Sequence, residues 1–217
     1  MVKTKICGNK TRNDVVIAGA CDALGFIVGT PESPRNIEPE IATRLGKETP
    51  TFTSTVLVTT AENPAKLKGL TETIKPDYLQ LHSRLSPGRI EEIAGYLPEA
   101  TGIISLLAVT GSPEAPKRRA RELVDSPAEA LLLDSRVDGQ SGGTGRVHDW
   151  EISRNIRDEI YPFPVILAGG LNPDNVGAAI RKVRPYAVDV ATGVERDGSK
   201  SEKKVGSFLE EVKQSET

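Results

Sequence analysis

Leu167-Ala168-Gly169-Gly170-Leu171-Asn172-Pro173 closes a short aliphatic run and leads into a helical pattern. Two glycines after an apolar run let the backbone turn sharply. Asn172-Pro173 then places a capping side chain before a proline, which predicts a helix over 173–184. Strand, tight turn and helix together make one β/α unit.

The same unit recurs outward in both directions. Short β-branched or aliphatic runs end near Cys7, Val28, Val58, His82, Ala108, Asp134, Ala168 and Ala191. Between and after them, helical patterns cover Arg12 to Ala20, Ile37 to Gly46, Pro64 to Ile74 and Ser86 to Tyr96. The later ones cover Pro116 to Val124, Trp150 to Glu159 and Glu202 to Lys213, with Asp149 as a second capping residue. From Cys7 to Ala191 the chain advances 184 residues in seven intervals, a mean of about 26, the length of a strand, a helix and two short loops. Eight units with no leftover segment predict a single-domain (β/α)8 TIM barrel over residues 1–217 rather than an open doubly wound sheet.

Composition agrees. Of 217 residues 37% are hydrophobic, yet only 4 Phe, 4 Tyr and 1 Trp are present, so the core is built from Ile, Leu, Val and Ala. Such residues suit a parallel sheet buried on both faces. A net charge of -2 supplies no global basic field, so neither nucleic acid nor an anionic membrane is an expected partner. The local cluster Lys117, Arg118, Arg119 and Arg121 has the spacing of a solvated helix face. Cys7 and Cys21 make no disulfide framework, and His82 and His148 lack metal-ligand spacing. A reduced, cytoplasmic location without a bound metal is the expectation. The longest apolar stretch, 102–109, is far short of a membrane span.

A β/α barrel does its chemistry at the carboxyl ends of its strands. Cys7 ends the first, before Gly8. A cysteine is commonly a small buried hydrophobe, but at this mouth a thiol can act as base or nucleophile. Cys21, at the end of a helical pattern, takes the inert reading. Asp134 ends the sixth strand and either caps a loop or, among apolar neighbours, serves as a general acid. Glycine-rich turns recur at Ser141-Gly142-Gly143-Thr144-Gly145, Ala168-Gly169-Gly170 and Ala191-Thr192-Gly193. Backbone N–H groups in such turns approach an anion closely, and the loops after strands seven and eight are the usual phosphate site of this fold. Arg35, behind Pro34, is either a surface cation or a fork aimed at a carboxylate. His82 is either a substrate contact or a hydrogen-bonded core histidine.

At these residues the chain resembles the phosphoribosylanthranilate isomerases of tryptophan biosynthesis. The matching blocks are Lys5-Ile6-Cys7-Gly8, Asp22-Ala23-Leu24-Gly25-Phe26, Ser33-Pro34-Arg35, Gln80-Leu81-His82 and Leu133-Asp134. Gly142-Gly143-Thr144-Gly145, Leu167-Ala168-Gly169-Gly170-Leu171, Val188-Asp189-Val190 and Gly193-Val194-Glu195 follow in order. The resemblance implies an Amadori rearrangement of a phosphoribosyl anthranilate without cofactor or metal; the sequence leaves a monomer and a homodimer both open. Asp134 would be the general acid and Cys7 the general base, their pKa values pushed apart, acid up and base down. Arg35 would hold the anthranilate carboxylate, with His82 a further substrate contact. Gly143, Gly169, Gly170, Thr192 and Gly193 would hold the phosphate. Ser83, Ala191-Thr192 and Thr59-Thr60 depart from the family's usual residues.

Two other readings compete. The histidine-pathway aminoaldose isomerase performs the same reaction type but carries aspartate at the end of strand one, where this chain has Cys7. A non-catalytic phosphosugar-binding barrel is the alternative from a different class, since fold alone does not imply turnover. Retention of Cys7 and Asp134 beside the phosphate loops weighs against it.

Overall fold

A computed structural model describes residues 1–110, 112–134 and 149–215. Eight parallel strands close into a barrel in sequence order: β1 (Lys3–Cys7), β2 (Ala23–Ile27), β3 (Ser54–Thr59), β4 (Tyr78–Leu81), β5 (Gly102–Ala108), β6 (Ala130–Asp134), β7 (Val165–Leu167) and β8 (Ala187–Val190). Closure is made by β8 pairing with β1, Lys3 opposite Ala187 through Ile6 opposite Val190. That pairing excludes the open sheet.

The pleat sorts each strand into two faces. Ile6, Leu24, Leu57, Leu79, Leu131, Leu133 and Val188 point outward and are buried under the helices. Each such side chain contributes about 1.5–3 kcal/mol relative to exposure. Cys7, Val56, Val58, Ile104, Leu106, Leu132 and Ile166 form a separate cluster inside the barrel.

The helices are α1 (Arg12–Ala18), α2 (Pro39–Lys47), α3 (Pro64–Ile74), α4 (Pro87–Ala94), α5 (Glu114–Val124), α6 (Trp150–Ile160), α7 (Val176–Val183) and α8 (Glu202–Gln214). Thr11, Asn63, Ser86 and Asp149 cap their helices by accepting from early backbone N–H groups. The basic run on α5 lies on the surface in ion pairs, Arg119 with Glu122 and Arg121 with Glu159. No helix among the described residues is long and apolar enough to cross a membrane.

One expected cap is corrected. The helix after β7 begins at Val176, not at Pro173. Asn172 Oδ1 accepts from the Asp174 amide at 2.8 Å, and Asn175 Oδ1 accepts from the Asn172 amide at 2.9 Å. The two asparagines close a local turn, and this side-chain turn competes successfully with helix initiation.

An addition not expected from the sequence follows β8. After a short 3-10 turn (Thr192–Val194), β9 (Glu195–Arg196) and β10 (Ser199–Lys200) form a hairpin. Asp197 and Gly198, at φ 52° and 76°, make its turn. An Asp-Gly pair with both residues left-handed matches the twist of the flanking strands.

Candidate active site

Cys7 and Asp134 are the last residues of β1 and β6, and both are buried. They share the inward parity of their strands, with Leu132 and Ala130 below Asp134 and Lys5 below Cys7. Between β6 and β1 the ring passes through β7 and β8, whose following loops carry Gly169, Gly170, Thr192 and Gly193. The structure therefore brings all six to one end of the barrel. Gly143 and His148 lie outside the described residues.

Room for the thiol comes from β2. Gly25 is paired with Cys7, and a Cβ on it would stand 2.8 Å from Cys7 Sγ. The turn after Cys7 is fixed by fully buried Asn9, whose Nδ2 donates to Ile6 O at 2.8 Å and Gly25 O at 3.1 Å. Burial pushes the Cys7 thiol up, and the Asp189 charge adds to this. Lys5 and Lys200 pull the other way without winning, so the expected lowered thiol is corrected to a raised one. Cys21 is buried, as the small-hydrophobe reading expects, and is pushed up to about 12 mainly by that burial.

His82 follows β4 and reaches across the mouth. Its Nε2 lies 4.0 Å from Asp134 Oδ2, and its Nδ1 is 3.1 Å from Gln80 Nε2. It is half-buried at the mouth, held by Gln80 and close to the candidate acid.

The phosphate-type loops are shaped for close approach. Gly169 and Gly170 have φ of 85° and 69°, and their amides donate to no group among the described residues. Gly193 packs so tightly on the β7 loop that a Cβ there would overlap Leu171 O and touch Asn172 Cα at 3.0 Å. Contact between the two loops therefore requires glycine at this position.

Arg35 meets a carboxylate of the protein itself. Its Nε donates to Glu195 Oε1 at 2.8 Å, and its Nη2 donates to Glu195 Oε2 at 2.6 Å and to Thr192 Oγ1 at 3.0 Å. Lys200 Nζ donates to the same Glu195 Oε1 at 2.9 Å and to Cys7 O at 2.6 Å. The Lys200 amide donates to Asp14 Oδ1 at 3.0 Å, tying the hairpin to α1. This buried network joins the mouths of β1, β2 and β8. Lys5, Asp189 and Glu195 stand in the family-like blocks without an assigned role, and Lys200 is not singled out by the sequence. For Lys5 and Asp189 the available signal was charge at inward positions of barrel strands, since Lys and Asp are almost never fully buried unless paired; Glu195 and Lys200, in the polar hairpin, offered no such signal.

Glu195→Ala would leave Arg35 and Lys200 buried without their shared carboxylate, and unfolding in urea is expected to show a loss of about 3–5 kcal/mol. Acid sensitivity has a defined sign. Burial alone would raise Glu195, but Arg35 and Lys200 hold it below the ordinary carboxylate range. Its contribution is complete above that range and disappears as pH falls through the lowered folded value. In that window wild type should lose stability with a steeper slope than Glu195→Gln.

Comparisons with known proteins converge. The family model for N-(5'phosphoribosyl)anthranilate (PRA) isomerase matches residues 4–211. An N-(5'-phosphoribosyl)anthranilate isomerase of Methanosarcina acetivorans is 41% identical over 225 residues, covering 97% of this chain and 93% of that one. The phosphoribosyl anthranilate isomerase structure from Thermotoga maritima superposes with a TM-score of 0.84 at 32% identity, covering 99% and 100% of the two chains. A further isomerase structure, in complex with reduced 1-(o-carboxyphenylamino)-1-deoxyribulose 5-phosphate, has a TM-score of 0.81 at 31% identity, with coverage of 99% and 100%. With the family model spanning nearly the whole barrel, the chain belongs to the N-(5'-phosphoribosyl)anthranilate isomerase family.

Proposed function

We propose that this member of the family converts N-(5'-phosphoribosyl)anthranilate into 1-(2-carboxyphenylamino)-1-deoxyribulose 5-phosphate, with Asp134 as general acid and Cys7 as general base. The observation that carries the reading is the placement of these two inward residues on β6 and β1, with the β7 and β8 loops between them. A phosphate held by Gly169, Gly170, Thr192 and Gly193, together with Gly143, puts the ribose between acid and base. A relative's complex with the reduced product supports that ligand class.

The steps balance within the substrate. Asp134 gives its proton to the ring oxygen as the C1–O bond breaks, and the anthranilate nitrogen lone pair forms an iminium at C1. Cys7 takes the proton from C2, whose electrons form the C1–C2 double bond and return the other pair to nitrogen. The enolamine then takes a proton from solvent at C1 and gives its C2 hydroxyl proton to solvent to become the ketone, while Cys7 releases its proton and Asp134 regains one. A raised Cys7 suits this order. Burial raises the Cys7 thiol, and the iminium brings a positive charge beside it that works against that rise, so the thiol gives up its proton to solvent when the base is needed.

Arg35 keeps Nη1 without a hydrogen bond among the described residues, so the guanidinium already oriented by Glu195 has a donor left for the anthranilate carboxylate. His82, beside Asp134, contacts the substrate at the opening ring.

The test generates the substrate in situ from anthranilate and phosphoribosyl pyrophosphate with the preceding transferase. Loss of substrate fluorescence is expected, with product mass and fragmentation matching the aminoketose. Absence of turnover, or turnover only of the histidine-pathway substrate, would overturn the proposal.

A further inference from the structure

Below Cys7, where a barrel of this kind is filled with aliphatic side chains, stands an ion pair. Lys5 and Asp189 are directly opposite in the register of β1 and β8. Lys5 Nζ lies 2.9 Å from Asp189 Oδ1, with the two side chains 4% and 10% exposed. No other side chain or backbone group among the described residues makes a well-formed hydrogen bond to Lys5 Nζ or Asp189 Oδ1, so each depends on the other and on the neighbouring thiol. Around them is the apolar interior cluster that includes Val56, Ile104, Leu132 and Ile166.

Such a pair is a poor stability device. Desolvating two charges costs several kcal/mol each, and an apolar pair of similar volume commonly stabilises as well or better. Its position suggests another use. Lys5 and Cys7 are two residues apart on one strand and so face the same way, with Lys5 one layer below Cys7 and its ammonium interacting with the thiol.

We propose that Lys5 is the positioning residue for the Cys7 thiolate, stabilising its charge from beneath, and that Asp189 sets how much of the lysine's charge the thiolate feels. The proposal deepens the reading of Cys7 as the base and rests on it. Around the thiol the charged groups are Lys5 on β1, Asp189 on β8, Lys200 on β10 and Arg35 after β2. Burial works against the charge of Lys5, the facing Asp189 carboxylate works for it, and the lysine is raised overall, which keeps a positive charge beside the thiol. Lys5 favours the thiolate and Asp189 opposes it. The two substitutions must therefore act in opposite senses, which damage to packing would not produce.

The experiment titrates Cys7 directly, by NMR of isotopically labelled cysteine, in a Cys21→Ala background where Cys7 is the sole thiol. Lys5→Met is expected to move the midpoint to higher pH by about one unit or more, and Asp189→Asn to lower pH by a similar amount. Lys5→Met/Asp189→Asn, which leaves no unpaired charge, should return close to wild type. The pH profile of kcat/KM should move with each titration. Shifts of the same sign, or no shift in folded variants, would overturn the proposal. Should Lys5→Met fail to fold, Asp189→Asn and the double variant still carry the test of sign. No turnover is needed for the titration, so the two readings separate. Full activity in Cys7→Ala would remove the base, whereas an unmoved titration would remove Lys5.

Discussion

Cys7→Ala is expected to lower kcat by about two to four orders of magnitude, the range that a positioned general base contributes. The change is small sterically. It deletes one sulfur at the end of β1, beside a position where Gly25 already lacks a side chain, and it leaves the Lys200 bond to the Cys7 carbonyl intact. Structural loss should therefore be minor and the kinetic loss specific. Cys7→Ser keeps the geometry but replaces the thiol with a group that hardly ionises, so it should fall nearly as far. Steady-state kinetics across a pH range, with thermal unfolding to confirm the fold, provide the measurement. Alanine variants with near-native kcat would move proton abstraction to another group, with His82 the first to examine.

Asp134→Asn should cost a comparable factor of about two to four orders of magnitude, for a different reason. Asparagine preserves the shape of the side chain at the end of β6, but its amide cannot deliver a proton to the ring oxygen. Binding and chemistry should separate. The reduced open-chain product, which needs no ring opening, should bind the variant with a Kd within a few-fold of wild type while kcat collapses. If the reduced product also failed to bind, Asp134 would be a binding group; if turnover persisted, it would not be the acid. His82, 4.0 Å from Asp134, offers a further contrast. His82→Ala should raise KM and reduce kcat less than Asp134→Asn does.

Much of this arrangement was legible in the chain. The strand ends at Cys7, Ala108 and Asp134 coincide with the observed boundaries, and the other five fall within one residue. Parallel strands buried on both faces read as continuous aliphatic runs, and glycine or a capping residue ends them abruptly. The helix after β7 starts later than Asn172-Pro173 suggests because these residues form a turn of their own, a choice settled by Asn175 three residues later. The direction of the Cys7 shift differs from the expected one for a related reason. A thiol at a catalytic mouth suggests a lowered pKa, but desolvation depends on everything that surrounds the group, and here it outweighs two lysines.

The sequence alone determined the repeat, the closed barrel it fills, and the candidates that end its strands, because period, glycine placement and strand termini are local properties of the chain. Tertiary structure decided which charges meet. Arg35 and Glu195 are 160 residues apart, and Cys7 and Lys200 are 193 apart. They touch because closing β8 onto β1 brings the end of the chain back to its beginning. No periodicity records that return. It arises only once the ring shuts and buried charges must find partners or remain unpaired in an apolar interior.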